Sequence, residues 1–126
     1  MSQVGIVLIS HSPKVVEGIK DIINQVAKDV PVELAGGTDE NEIGTSVEKI
    51  QAAIERVHTD KGVLLIYDLG SAMMNAELAV EMSDYEDIEI AEAPLLEGAY
   101  VAAVESGMGK SLEDVKKACE SALKNE

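Results

Sequence analysis

Apolar positions along the chain fall into two patterns that alternate from end to end. The runs VGIVLIS (4–10) and GVLLIYDL (62–69) are continuous, as expected of strands buried on both faces. VPVELAGG (30–37) is shorter and has a proline near its start, and EDIEIAEA (86–93) alternates around Ile88 and Ile90. Both of these suit outer strands. Between the runs, apolar residues recur every three or four positions, as on a helix face. The first such segment holds Val15, Val16, Ile19, Ile22, Ile23 and Val26, and the second Val47, Ile50, Ile54 and Val57. A third helix, SAMMNAELAVEM, follows the second continuous strand directly. A fourth runs through PLLEGAYVAAVESG, and a fifth carries Leu112, Val115, Cys119 and Ala122 in register. Start signals accompany them. Ser12 precedes Pro13 as an N-cap, Thr45 and Glu48 have capping-box spacing, and Pro94 opens the fourth helix.

Strands separated by helices imply right-handed crossovers and a parallel sheet covered on both faces. The expectation is a doubly wound, open α/β sheet with helices on both faces, in one domain over residues 1–126. The two continuous strands belong in the centre and the other two at the edges, which gives the order 2-1-3-4. The chain then reverses its winding between strands 1 and 3. Open α/β sheets bind ligands outside the carboxyl ends of the strands at such a switch point.

Charge and cysteine usage narrow the partners. There are 24 acidic and 10 basic residues, a net charge of −14. Phosphate backbones and anionic lipid surfaces need clustered Lys and Arg, so neither nucleic acid nor a membrane surface is expected. A basic protein would be steered in well. The one cysteine, Cys119, sits on the apolar stripe of the last helix. It reads as a core thiol rather than a nucleophile, and a chain with no disulfide pair fits a reducing cytoplasm. Neither a signal peptide nor a membrane span is expected.

The order 2-1-3-4 has a chemical consequence. Strand 1 ends in SHSP and strand 3 in YDLGS, so His11 and Asp68 meet at the switch point. A carboxylate beside a histidine accepts one ring N–H, fixes the tautomer and leaves the other nitrogen free as base or nucleophile. Other chemistries lack their parts. There is no G-x-S-x-G elbow, and no metal-ligand spacing of histidines or cysteines. Up to three helix N-termini point to the crevice and suit an anion. No Lys or Arg occurs between Gly62 and Gly109, so a phosphoryl group there would be held by amides and hydroxyls. His58, at the end of the second helix, reads as structural, bonding the terminal carbonyls.

The segments GIVLISHSPKVVEGI, GGTDENEIGTS, LLIYDLGSAMMNAE and APLLEGAYVAA, in order and together running through most of the chain, carry a family resemblance. The sequence resembles the mannose-type enzyme IIA domains of the bacterial phosphoenolpyruvate-dependent phosphotransferase system. Within them it is most similar to the phosphotransferase subunits of bacterial dihydroxyacetone kinases. The resemblance implies a phosphotransferase that works through a phosphohistidine on His11, with Asp68 as orienting carboxylate. It implies the phosphorylated histidine phosphocarrier protein (HPr) as donor, and as acceptor ADP held on the nucleotide-binding kinase subunit (DhaL). The regenerated ATP then phosphorylates dihydroxyacetone. It also implies a homodimer. Separately, no cofactor and no metal are expected, since the metal-ligand spacing is absent. On physical grounds the phosphoryl oxygens need neutral donors, and Gly37, Thr38, Gly70 and Ser71 are the candidates in the loops around the crevice.

Three rivals share parts of this pattern. A receiver domain would place its acceptor aspartate at Asp68, but it needs an acidic pair after strand 1, where this chain reads SHS. A flavin module would need aromatics to sandwich the ring, and the chain has no Trp or Phe. A sugar-transport enzyme IIA shares the histidine chemistry and differs only in its acceptor.

Overall fold

In the computed structural model, residues 2–122 are described; Met1 and residues 123–126 of the expected single domain lie outside the described residues. The elements follow the alternation in the sequence. They are β1 (Gly5–Ser10), α1 (Pro13–Ile23), β2 (Val32–Gly36), α2 (Val47–Val57), β3 (Val63–Tyr67), α3 (Gly70–Met82), β4 (Ile88–Ala91), α4 (Leu95–Gly107) and α5 (Leu112–Glu120). The four strands form one parallel sheet in the order β2-β1-β3-β4, as expected.

Strand alternation divides the core into two layers. Ile6, Leu8, Leu64 and Ile66 pack against Val16, Ile19 and Ile23 of α1 and against α4 and α5. Val7, Ile9, Val63 and Leu65 point the other way, onto α2 and α3. All eight strand side chains are fully buried, which is why β1 and β3 read as unbroken apolar runs. Burying each is worth about 1.5–3 kcal/mol, so the two central strands anchor both layers.

Several boundaries differ from the sequence pattern for local reasons. β3 stops at Tyr67 because Asp68 and Leu69 already turn into α3. β2 begins after Pro31, whose carbonyl accepts the Ile6 amide at 2.9 Å. Pro94 is the N-cap of α4 rather than its first residue. The cap of α2 is Ser46, not Thr45: its hydroxyl accepts the Lys49 amide at 3.1 Å, which leaves Glu48 one position short of a capping box. The Thr45 hydroxyl is engaged elsewhere, accepting from Asn75 at 2.6 Å. Ser12 does cap α1 by backbone geometry, with Pro13 at the first helical position, but its side chain makes no cap bond.

Two glycines set the path from β2 into the crevice. A Cβ on Gly36 would lie 2.8 Å from the Pro13 Cα and 2.9 Å from the Ser12 carbonyl oxygen, so only glycine lets β2 pass the start of α1. Gly37 follows at φ +80°, a left-handed conformation that turns the chain over β1.

Candidate functional site

The β1–β3 register builds the site. Ile9 pairs with Tyr67, and the Asp68 amide donates to the Ile9 carbonyl at 3.1 Å, so Ser10 and Asp68 leave the sheet side by side. The Asp68 carboxylate then collects four donors. Oδ2 accepts the Ser10 hydroxyl at 2.9 Å and the His11 amide at 3.0 Å. Oδ1 accepts the Leu69 amide at 2.7 Å and lies 3.0 Å from His11 Nδ1. Burial by itself pushes the Asp68 carboxyl up. The hydrogen bonds from the His11 amide, the His11 ring, the Ser10 hydroxyl and the Leu69 amide outweigh it and hold the group below the usual carboxylate range.

An ionised carboxylate can only accept, so Nδ1 of His11 carries the ring proton. In the neutral ring Nε2 then presents its lone pair, to which the Ser71 hydroxyl, 2.8 Å away, donates. The two side chains stay 22% and 20% exposed, enough for Nε2 to be reached from outside without a channel. Ser71 opens the first turn of α3. Among the described residues, the amides of Gly70 and Ser71 make no hydrogen bond to the protein, as expected for the first turn of a helix.

The loop between β2 and α2 lies against the same residues. The Gly44 amide donates to the His11 carbonyl at 2.8 Å, and the Thr38 methyl lies 2.7 Å from where a Cβ on Gly44 would fall. The Gly37 amide donates to the Ser10 carbonyl at 3.0 Å and the Thr38 amide to the Glu42 carbonyl at 2.9 Å. The Gly37 amide is thus taken up by β1 and the Thr38 amide by the loop's own closure. The Thr38 hydroxyl accepts the Glu42 amide at 3.1 Å and keeps its own proton to give. Lys49 Nζ ties the loop down, bonding the Gly36 carbonyl at 2.9 Å and Asn41 Oδ1 at 2.6 Å.

The structure thus brings His11, Asp68, Gly70 and Ser71 together, with Gly37 and Thr38 in the adjoining loop. Sequence reasoning missed Ser10, Asn75 and Lys49. Ser10 had a signal, a fully buried hydroxyl ending an otherwise apolar strand. Asn75 lies one helical turn beyond Ser71 and clamps α3 to the loop at Thr45. His58 is a second histidine–carboxylate pair, at the start of β4. Its amide caps α2 through the Ile54 carbonyl at 3.0 Å, but its ring pairs with Asp87 at 2.8 Å and stacks on Tyr85, rather than bonding helix carbonyls. Among the described residues, no three His, Cys, Asp or Glu side chains are placed to hold a metal ion, and no helix is long and apolar enough to cross a membrane.

Residues 5–116 match the family described as PTS system fructose IIA component, of the EIIA-man type. The phosphotransferase subunit DhaM of the PTS-dependent dihydroxyacetone kinase of Lactococcus lactis is 42% identical over 119 residues, covering 94% of this chain and 95% of that protein. The phosphoryl donor subunit DhaM of PEP-dependent dihydroxyacetone kinase 1 of Listeria innocua is 47% identical over 109 residues, 86% of each chain. Among solved structures, a protein of unknown function, EF1359, superposes with a TM-score of 0.85 at 30% identity over 94% of both chains.

Proposed function

The chain belongs to the PTS system fructose IIA component family of the EIIA-man type, and from that premise we propose that it is the phosphoryl-donor subunit of a dihydroxyacetone kinase, carrying the group on His11. The observation behind this is the ring itself. Nδ1 is held by Asp68 at 3.0 Å while Nε2 faces an open surface beside Ser71. The names of the relatives supply the acceptor branch.

The transfer balances without moving a proton. The Nε2 lone pair attacks the phosphorus carried by the donor's histidine, in line with the departing P–N bond. The leaving nitrogen regains its lone pair, and His11 keeps its Nδ1 proton on Asp68 throughout. The ring becomes more positive as the new bond forms, and the fixed carboxylate stabilises that charge without reorganising. The Ser71 hydroxyl must then turn from Nε2 to a phosphoryl oxygen. The free amides of Gly70 and Ser71 lie at a helix N-terminus, where an anion is favoured. On the loop side, Thr38 would contribute its hydroxyl and Gly37 the turn. In the second step a terminal oxygen of ADP attacks, the P–Nε2 bond breaks and ATP forms. Neutral donors without a cation hold a phosphoryl group loosely enough to release it.

The donor in this reading is the phosphorylated histidine phosphocarrier HPr. The acceptor is ADP on the kinase subunit, the setting is the cytoplasm, and the working form is a homodimer. The test is to incubate the protein with labelled phosphoenolpyruvate, the first enzyme of the system and the phosphocarrier, and to map the label. His11 should carry it, in an acid-labile, base-stable bond. Adding the ADP-loaded kinase subunit and dihydroxyacetone should discharge it. Label on another residue would sink the histidine mechanism, and discharge only to a sugar transporter would move the protein to the sugar-transport branch.

A further inference from the structure

His11 is held from two sides. The Ser71 hydroxyl reaches its Nε2 at 2.8 Å from α3, and the Gly44 amide holds its carbonyl at 2.8 Å from the β2–α2 loop. The residue after Gly44 is Thr45, and Asn75 lies four positions after Ser71, on the same side of α3. The Asn75 side-chain amide donates to the Thr45 hydroxyl at 2.6 Å. These contacts close a circuit. It runs from the ring to Ser71, along one turn of helix to Asn75, across to Thr45 and back through Gly44 to His11. Among the described residues, the Asn75–Thr45 bond is the single hydrogen bond between residues 37–46 and α3.

α3 needs such a tie more than its neighbours do. α1 and α2 lock into the core with branched side chains, Val16, Ile19 and Ile23 on the one and Ile50, Ile54 and Val57 on the other. The fully buried residues of α3 are Ala72, Ala76 and Ala79. Their short side chains make shallow ridges, which resist separation from the core but only weakly resist sliding or rolling of the helix. The N-cap, Leu69, has no polar side chain to bond the first-turn amides. Asn75 and Thr45 are both half-buried, where a hydrogen bond is partly shielded from competing water.

We propose that Asn75 and Thr45 are positioning residues for phosphoryl transfer. Their bond sets the gap between the first turn of α3 and the β2–α2 loop, and with it the placement of the Ser71 and Thr38 hydroxyls about the group carried on His11. This deepens the carrier reading above and rests on it. Neither side chain hydrogen-bonds His11, so both act through the elements they join. A misplacement of about 1 Å in a reacting constellation can cost about 10²-fold in rate. The pair places the transferring group and does not capture the donor, so its loss falls on the limiting rate and spares the donor KM.

The experiment measures single-turnover labelling of His11 against the concentration of phosphorylated donor, at a temperature where melting curves show every variant folded. Asn75→Ala and Thr45→Val should each lower the limiting rate by roughly 10- to 100-fold with KM little changed. Thr45→Val nearly keeps the side-chain volume, and it carries the test if Asn75→Ala does not fold. The double variant should lose no more than the worse single one, because both remove the same bond. Thr45→Ser keeps the hydroxyl and should stay within a fewfold of wild type. Limiting rates near wild type in the folded single variants overturn the proposal. So does a loss in the double variant equal to the product of the single losses, a defect confined to KM, or a Thr45→Ser rate as low as that of Thr45→Val. Failure of the wild type to become labelled on His11 is a separate result and would fall on the carrier reading instead.

Discussion

His11 Nδ1 and Asp68 Oδ1 lie 3.0 Å apart although 57 positions separate them in the chain. Parallel register achieves this: β1 and β3 are neighbours, and each ends one step before its member of the pair. The contact makes the site directional, because it puts the proton on Nδ1 and the lone pair on Nε2.

Asp68→Asn tests that direction. An amide can turn its NH2 toward the ring, which would favour the tautomer with the lone pair on Nδ1 and the proton on Nε2. Under the carrier reading, the rate of His11 labelling should fall about 10²-fold or more while the fold survives. Single-turnover labelling by the phosphocarrier reads it. A variant that labels within a fewfold of wild type would show that the carboxylate does not set the tautomer.

The same carboxylate links stability to pH. Its pKa lies below the ordinary value in the folded protein, so the unfolded chain binds the proton more readily. The extra stability is therefore fully present above the ordinary carboxylate pKa of about 3.9 and is lost as pH falls through the lower, folded value. The melting-temperature advantage of wild type over Asp68→Asn should shrink as pH falls below about pH 4. An advantage that persists undiminished to the acid limit of the folded state would contradict the hydrogen-bonded carboxylate.

Ser71 is a separate case because its hydroxyl is exposed and bonds only the ring among the described contacts. Ser71→Ala should leave thermal stability close to wild type. Under the carrier reading, labelling should slow by roughly 10- to 100-fold, since a proposed donor to the transferring phosphoryl group is removed. A large fall in melting temperature with an unchanged transfer rate would assign Ser71 to structure instead.

The order of the sheet was readable because burial writes directly into composition: Ile6–Ile9 and Val63–Ile66 have no polar residue, and only central strands tolerate that. The His11–Asp68 pairing followed from the order. What stayed hidden depends on contacts between distant segments. Thr45 and Ser46 are adjacent and both suited to capping, and the choice is decided by Asn75 on α3 taking the Thr45 hydroxyl. The amides of Gly37 and Thr38 read as available donors until their partners, the Ser10 and Glu42 carbonyls, are seen. His58 read as bonding the helix's terminal carbonyls, but the partner of its ring, Asp87, comes from the turn into β4, 29 residues on.

Cys119 offers a check on the packing of α5 against α4 that is independent of the site. Its side chain is fully buried, and a Cβ placed on Gly98 of α4 would lie 3.1 Å from its Sγ, so the thiol fills the space that this glycine leaves. Burial, with a smaller contribution from the neighbouring Glu120 carboxylate, pushes the thiol pKa up to about 12. The thiolate is the reacting form, so at pH 8 its population should be roughly three orders of magnitude below that of an ordinary cysteine. Native protein should resist iodoacetamide at pH 8 over hours and react promptly in denaturant, with one equivalent taken up. Reaction of the native protein at the rate of a free thiol would mean that α5 does not pack on α4 as described.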